Sequence, residues 1–296
     1  SGYVHKVKPF RNFLLAKINT LYVPYMAFSL FSWLFYLIRH ISYGHVVTVL
    51  THLPKIQSVI TGTAENGGNN PIWFLTCIFV ISIIFFGLER FFKNPIMKWG
   101  IVIGLSLIGF SLGTEFPALF QIDVALTGLV FYSLGYTVKN LNLLFYLDGL
   151  KTHQWIAFIT ICELIHIMSA YYNVDLSTIR WVNMAGNVIG DYILFYLSAL
   201  TGITVFLVIG YKLQYIRLFN YLGLHTLAIL GFHKPILQIF EGIFSPIVNT
   251  NAWLYGILTS FAAILLSLLF GQILTKIAPS LIGKKPLFQP LNNTAA

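Results

Sequence analysis

Taken for its apolar positions alone, the chain is a succession of long runs almost without charged side chains, separated by short polar turns. Eight runs reach spanning length, at 21–38, 72–88, 99–117, 122–138, 154–172, 190–210, 226–244 and 253–274. A helix rises about 1.5 Å per residue, so about 20 residues cross a hydrocarbon core of about 30 Å. The runs are continuous, whereas the strands of a membrane barrel alternate over about ten residues, so the pattern predicts helices. The expected fold class is therefore all-α, a polytopic transmembrane bundle of about eight helices. One more stretch is periodic without being a span. Val46, Val49, Leu50, Leu53, Ile56 and Ile60 recur at helical spacing, with His45, His52 and Lys55 between them. This predicts an amphipathic helix at the membrane surface, with those three polar residues facing water. A turn at 65–71 then delivers Trp73 to the membrane boundary, where its alternative reading is an interfacial anchor.

Composition agrees. Hydrophobic residues make up 57% of the 296 and charged residues 9%, with a mean hydropathy of +0.79. Soluble domains carry roughly 25% charge. The formal charge of +9 suggests nucleic acid at first, but the cations lie in the turns between apolar runs and form no single patch. With Ser1 inside, the inner segments hold Lys6, Lys8, Arg11, Lys17, Arg90, Lys93, Lys98, Lys139, Lys151, Lys212, Arg217, Lys276, Lys284 and Lys285, and the outer ones Arg39, Lys55 and Arg180. Lys234 lies within a span. That is 14 against 3, so the positive-inside rule places both ends of the chain in the cytoplasm. Residues 1–280 read as the membrane domain and 281–296, rich in Lys, Pro and Asn, as a loosely ordered cytoplasmic tail. Cys77 and Cys162 lie in apolar runs without ligand spacing and define no disulfide or metal site. Position 1 is not Met and no signal-length apolar stretch precedes the basic arm, so Ser1 reads as an internal position of a longer protein.

Ionisable residues inside a membrane are costly and are candidates for function. Glu163 and His166 lie three apart in the fifth span and share a face. His233, Lys234 and Glu241 lie in the seventh, where Pro235 removes a backbone donor. For each group the alternative is a hydrogen bond that joins two helices. Gly109-Phe110-Ser111-Leu112-Gly113 matches the GxSxG pattern of hydrolases, but within a span its glycines, with Gly100 and Gly104, read as small residues for helix packing. Glu163-x-x-His166 is half of a di-iron constellation without its second half, so no metal is expected. No P-loop, HExxH or dinucleotide fingerprint is present, and no His is followed five residues later by Asp.

Several local patterns run in one order. Ser1-Gly2-Tyr3, a basic arm and Leu21-Tyr22-Val23-Pro24-Tyr25 come first, followed by Asn70-Pro71-Ile72-Trp73-Phe74-Leu75. Asp123 through Phe131 to Gly135-Tyr136 comes next, then Asn183 to Gly202, then Tyr221-Leu222-Gly223 with Thr226-Leu227-Ala228-Ile229 and His233. Together they resemble the acyltransferase family three membrane proteins, especially the fucose O-acetylase-like branch.

The resemblance implies about ten helices in the intact protein, so that this chain lacks the first two, and a general-base His upstream of Ser1. A chain lacking that base is expected to be inactive by itself. Many members carry two arginines where Lys17 and Thr20 stand here. Lysine provides a point charge without the bidentate fork.

The resemblance further implies a membrane-bound O-acyltransferase of the bacterial cytoplasmic membrane. It would move an acetyl or short acyl group from acyl-CoA to a hydroxyl of a sugar or cell-surface glycan. Acetyl-CoA would be the donor substrate, with no permanently bound cofactor, and the lipid bilayer rather than nucleic acid the surrounding partner. On this reading Lys17 and Arg11 hold the donor phosphates, and Trp73, Asn70, Glu163 and His166 contact the acceptor or line its cavity. His233 is a second catalytic candidate. A competing reading from the buried ionisable groups is a secondary transporter or a flippase of a small or lipid-linked sugar. A third is a non-catalytic receptor or assembly subunit.

Overall fold

The computed structural model describes residues 2–6, 8–44, 49–63, 69–113, 118–143, 145, 149–174, 182–244 and 251–289, without the side chains of 49–52, 70, 242 and 243. Its elements are helices: α1 (Phe10–Lys17), α2 (Val23–Ser42), α3 (Val49–Thr61), α4 (Trp73–Phe91), α5 (Pro95–Leu112), α6 (Ile122–Asn140), α7 (Thr152–Asn173), α8 (Tyr192–Leu213), α9 (Arg217–Leu224), α10 (Thr226–Ile243) and α11 (Ala252–Ile277). No strand occurs among the described residues. Among the described residues, seven helices are long and apolar enough to cross a membrane. The eighth expected span forms α10, which falls outside those seven; His233, Lys234, Gln238 and Glu241 lower its hydropathy.

Element ends follow local chemistry. α5 starts at Pro95, four residues before its apolar run, because the Asn94 carboxamide accepts the Ile96 and Met97 amides and proline tolerates the first turn. It stops at Gly113, whose φ is 55°. Asp191 caps α8 through the Leu194 amide at 2.9 Å. The basic arm is not a separate flank, since α1 runs on into α2 through a π-helical segment, Ile18–Tyr22. Pro24 explains the widened turn: it has no amide to give to the carbonyl of Thr20, and its ring would crowd that carbonyl in α register.

The chain forms two compact units. The first comprises Ser1–Lys6, Ile81–Phe116 and Ile122–Tyr221. Here α5 packs on α6, α7 on α8, and a turn at Gly2–Val4 on α6. A Cβ on Gly109 would sit 2.7 Å from the Asp123 carbonyl oxygen and the Thr127 amide, so glycine permits the α5–α6 crossing. Gly100 and Gly104 do not share this role, because they lie on the open face of α5 with nothing within 4 Å of such a Cβ. A Cβ on Gly2 would lie 1.8 Å from the Tyr132 carbonyl oxygen, so the close approach of the two backbones requires glycine at position 2.

The second unit comprises Val7–Val80, Pro117–Gln121 and Leu222–Ala296. Its core is built from Tyr25, Phe28, Ile72, Leu75, Ala228, Phe232, Ile236, Ala263 and Ile282, with α10 on α11 and α2 against both α3 and α10. The surface helix forms as expected, and Tyr25 donates to the Val59 carbonyl at 2.8 Å to tie α2 to α3. Lys55 departs from expectation. It lies half-buried with its ammonium 3.8 Å from the Tyr36 ring centroid, because the aromatic face on α2 offers a cation–π partner. His45 and residues 65–68 lie outside the described residues.

The expected loose tail is folded as far as 289. Asn19, in the π segment, accepts the amides of Leu287 and Phe288 on Oδ1 at 2.8 and 2.9 Å and donates Nδ2 to the carbonyls of Phe288 and Leu15. All four hydrogen-bonding positions of one amide are used, which pins that stretch.

Candidate functional site

The predicted site residues occupy different settings. Arg11 and Lys17 are six apart on α1, which turns them about 120° from each other at about 100° per residue. Arg11 is exposed, whereas Lys17 is half-buried with its ammonium 5.6 Å from the Phe13 ring centroid. The two side chains therefore leave α1 on different faces. Trp73 opens α4, half-buried, with its ring edge-on to Phe74. Asn70 opens the preceding 3-10 turn, and its side chain lies outside the described residues.

His166 joins helices. Its Nδ1 lies 2.8 Å from the carbonyl oxygen of Ser198 and 3.1 Å from the Ser198 hydroxyl, so α7 is bonded to α8. Gly202 leaves room for the imidazole, since a Cβ there would fall 3.0 Å from Nδ1. Glu163, one turn before it, is half-buried. His233 is held within its own helix, Nδ1 lying 2.8 Å from the Ile229 carbonyl oxygen. A carbonyl only accepts, so Nδ1 carries the hydrogen and neutral His233 keeps its lone pair on Nε2. This residue lines a cavity of about 300 Å³ with Thr226, Leu230, Ser260 and Ala263, between α10 and α11.

Two polar clusters were not singled out by the sequence. In the second unit, fully buried Asn69 donates Nδ2 to the Ser32 hydroxyl at 3.0 Å and to the Gly231 carbonyl at 2.8 Å. Its Oδ1 is buried with no hydrogen-bond partner. Only the neighbouring Asn-rich turn pointed toward this position.

In the first unit, Glu89 near the end of α4 pairs with Lys98 of α5 and accepts the Tyr136 hydroxyl at 2.9 Å. A cavity of about 280 Å³ opens beside them, lined also by Trp99, Ser133, Thr137 and Asn140. The Ser133 and Thr137 hydroxyls donate to the carbonyls of Leu129 and Ser133, so both turn lone pairs outward. Opposite charges nine residues apart, across the α4–α5 turn, were the available signal.

Several motif residues prove to be packing devices. Asn187 bridges two helices, accepting the Thr127 hydroxyl at 3.2 Å and donating to the Gly109 carbonyl at 2.7 Å. Gly135 lies against the backbone of Gly2 and Tyr3. Pro24 and Tyr25 set the π segment and the α2–α3 tie.

No curated protein and no solved structure matches this chain. The acyltransferase domain of acyltransferase family 3 matches residues 1–272. With that match running through ten of the eleven helices and into the last, the chain belongs to acyltransferase family 3 and is a multi-pass membrane protein with an acyltransferase domain.

Proposed function

We propose that this protein transfers an acetyl or other short acyl group from acyl-CoA to a hydroxyl of a sugar or cell-surface glycan. In this reading it sits in the bacterial cytoplasmic membrane with its Lys- and Arg-rich turns inward. The observation that carries it is the family match over 1–272, on a chain with seven apolar spans.

The chemistry requires a base, because an alcohol is a weak nucleophile at neutral pH. As the base takes the hydroxyl proton, the oxygen attacks the thioester carbonyl. The new C–O bond replaces the C–S bond, and the CoA thiolate leaves and is protonated. Donors that meet the oxyanion lower the barrier. In this chain His233, with Nδ1 engaged by the Ile229 carbonyl, leaves Nε2 as its other ring nitrogen beside a cavity that Ser260 also lines. Transport is the weaker reading, because the family match is to an acyltransferase domain.

Membranes carrying the full-length protein, incubated with radiolabelled acetyl-CoA and acceptor glycan, are expected to place label covalently in the glycan. Substrate accumulating in vesicles without label would replace this reading with transport. His233→Gln is expected to lower transfer by about 10²–10⁴-fold if Nε2 is the base. An unchanged rate would move that role elsewhere.

A further inference from the structure

We infer that the cavity beside Glu89 and Lys98 takes the nucleoside end of the acyl donor. The inference rests on the acyl-CoA reading above and assigns one part of that donor to one place. At about 280 Å³ the cavity lies just below the range of pockets that enclose whole small molecules, so it suits one group of a larger ligand.

Its walls are of two kinds. Trp99 and Tyr136 provide aromatic faces, on which a flat base can stack. The polar side carries acceptors in the hydroxyl oxygens of Ser133 and Thr137, whose hydrogens are spent on helix carbonyls, and in the carboxylate of Glu89, with the Asn140 amide able to accept or donate. Such a wall can receive a ligand that donates, as the exocyclic amine of adenine and the single unesterified ribose hydroxyl of coenzyme A, the 2′-hydroxyl, do.

The ion pair makes the cavity itself close to neutral, which favours a base and sugar there over a bare phosphate. Phosphates then need cations just outside it. Arg90, in the last turn of α4, and Lys93, in the turn that follows, are exposed and lie in the chain between the lining residues Glu89 and Pro95. A nucleoside seated in the cavity can lay its phosphates along this turn, which the excess of Lys and Arg assigns to the cytoplasmic side.

The test uses the full chain in proteoliposomes, with labelled acyl-CoA for kinetics and an azido analogue of adenosine 3′,5′-bisphosphate for photolabelling. Trp99→Ala is expected to raise the donor KM about tenfold by loss of stacking, with kcat little changed. Arg90→Gln with Lys93→Gln is expected to raise it several-fold, by an amount that shrinks as salt rises. The photolabel is expected on α5 or α6 near Trp99 or Asn140. Should Trp99→Ala fold poorly, Trp99→Phe and the two exposed-turn variants carry the test.

A donor KM unchanged in these variants while transfer proceeds overturns the assignment and leaves the acyltransferase reading standing. Label mapping elsewhere in the chain does the same. Saturable labelling in this cavity, displaced by adenosine 3′,5′-bisphosphate, in a protein that transfers no acyl group supports the nucleotide site and sinks the acyl-CoA reading.

Discussion

Two buried asparagines, one in each unit, are treated in opposite ways. Asn187 spends both ends of its amide on partners, the Thr127 hydroxyl and the Gly109 carbonyl. Asn69 spends only its amino group, on Ser32 and Gly231, and leaves Oδ1 buried and unmet. The orientation of Asn69 is fixed, because turning the amide over would set its oxygen against the Gly231 carbonyl. In lipid no bulk water is at hand to satisfy a stray acceptor. Asn187 therefore acts as a bolt between helices, and Asn69 as a half-used one.

The comparison can be broken experimentally, beginning with the backbone that Asn187 helps to hold. Gly109→Leu drives a side chain into the α6 main chain, which glycine alone allows at this separation. Loss of a folded, monodisperse species on size exclusion is expected. A normal profile would show that α5 and α6 do not cross as closely as described. Asn187→Leu comes next, with an expected cost of about 2 kcal/mol, since it strips partners from buried groups. A lowered melting temperature in detergent would report it. Asn69→Leu is expected to cost about 1 kcal/mol, because it also removes an acceptor that already went unsatisfied. If Asn69→Leu melts as low as Asn187→Leu or lower, the contrast fails. The smallest effect is expected at Lys212→Met, which removes an ammonium 4.2 Å from the Trp155 ring centroid, an interaction of about 0.5–1 kcal/mol.

The candidate chemistry was only partly legible. His166 and His233 stood out because titratable groups are conspicuous in apolar runs, and His233 bonds one turn back in its own helix, but what His166 binds depends on a residue far away in the chain. Ser198 is 32 residues from His166, and no spacing rule links them. Asn69 was hidden by its neighbours, in a polar turn that reads as a loop. The Glu89–Lys98 pair straddles a turn between spans, where charges ordinarily read as solvated anchors. The tail at 281–289 looked loose because its own composition is polar; the Asn19 amide that holds it is over 260 residues away.

By itself the sequence determined the helical class, the rough position of the spans and the need for a small residue at Gly109. Each follows from local pattern, because hydrophobic thickness and helical period act over one element at a time. Only the tertiary structure decided which glycines are crossings, which polar atoms find partners, where the two cavities open and how the tail is held. Those outcomes depend on which faces meet across long separations, and the pattern along any one helix leaves that choice open.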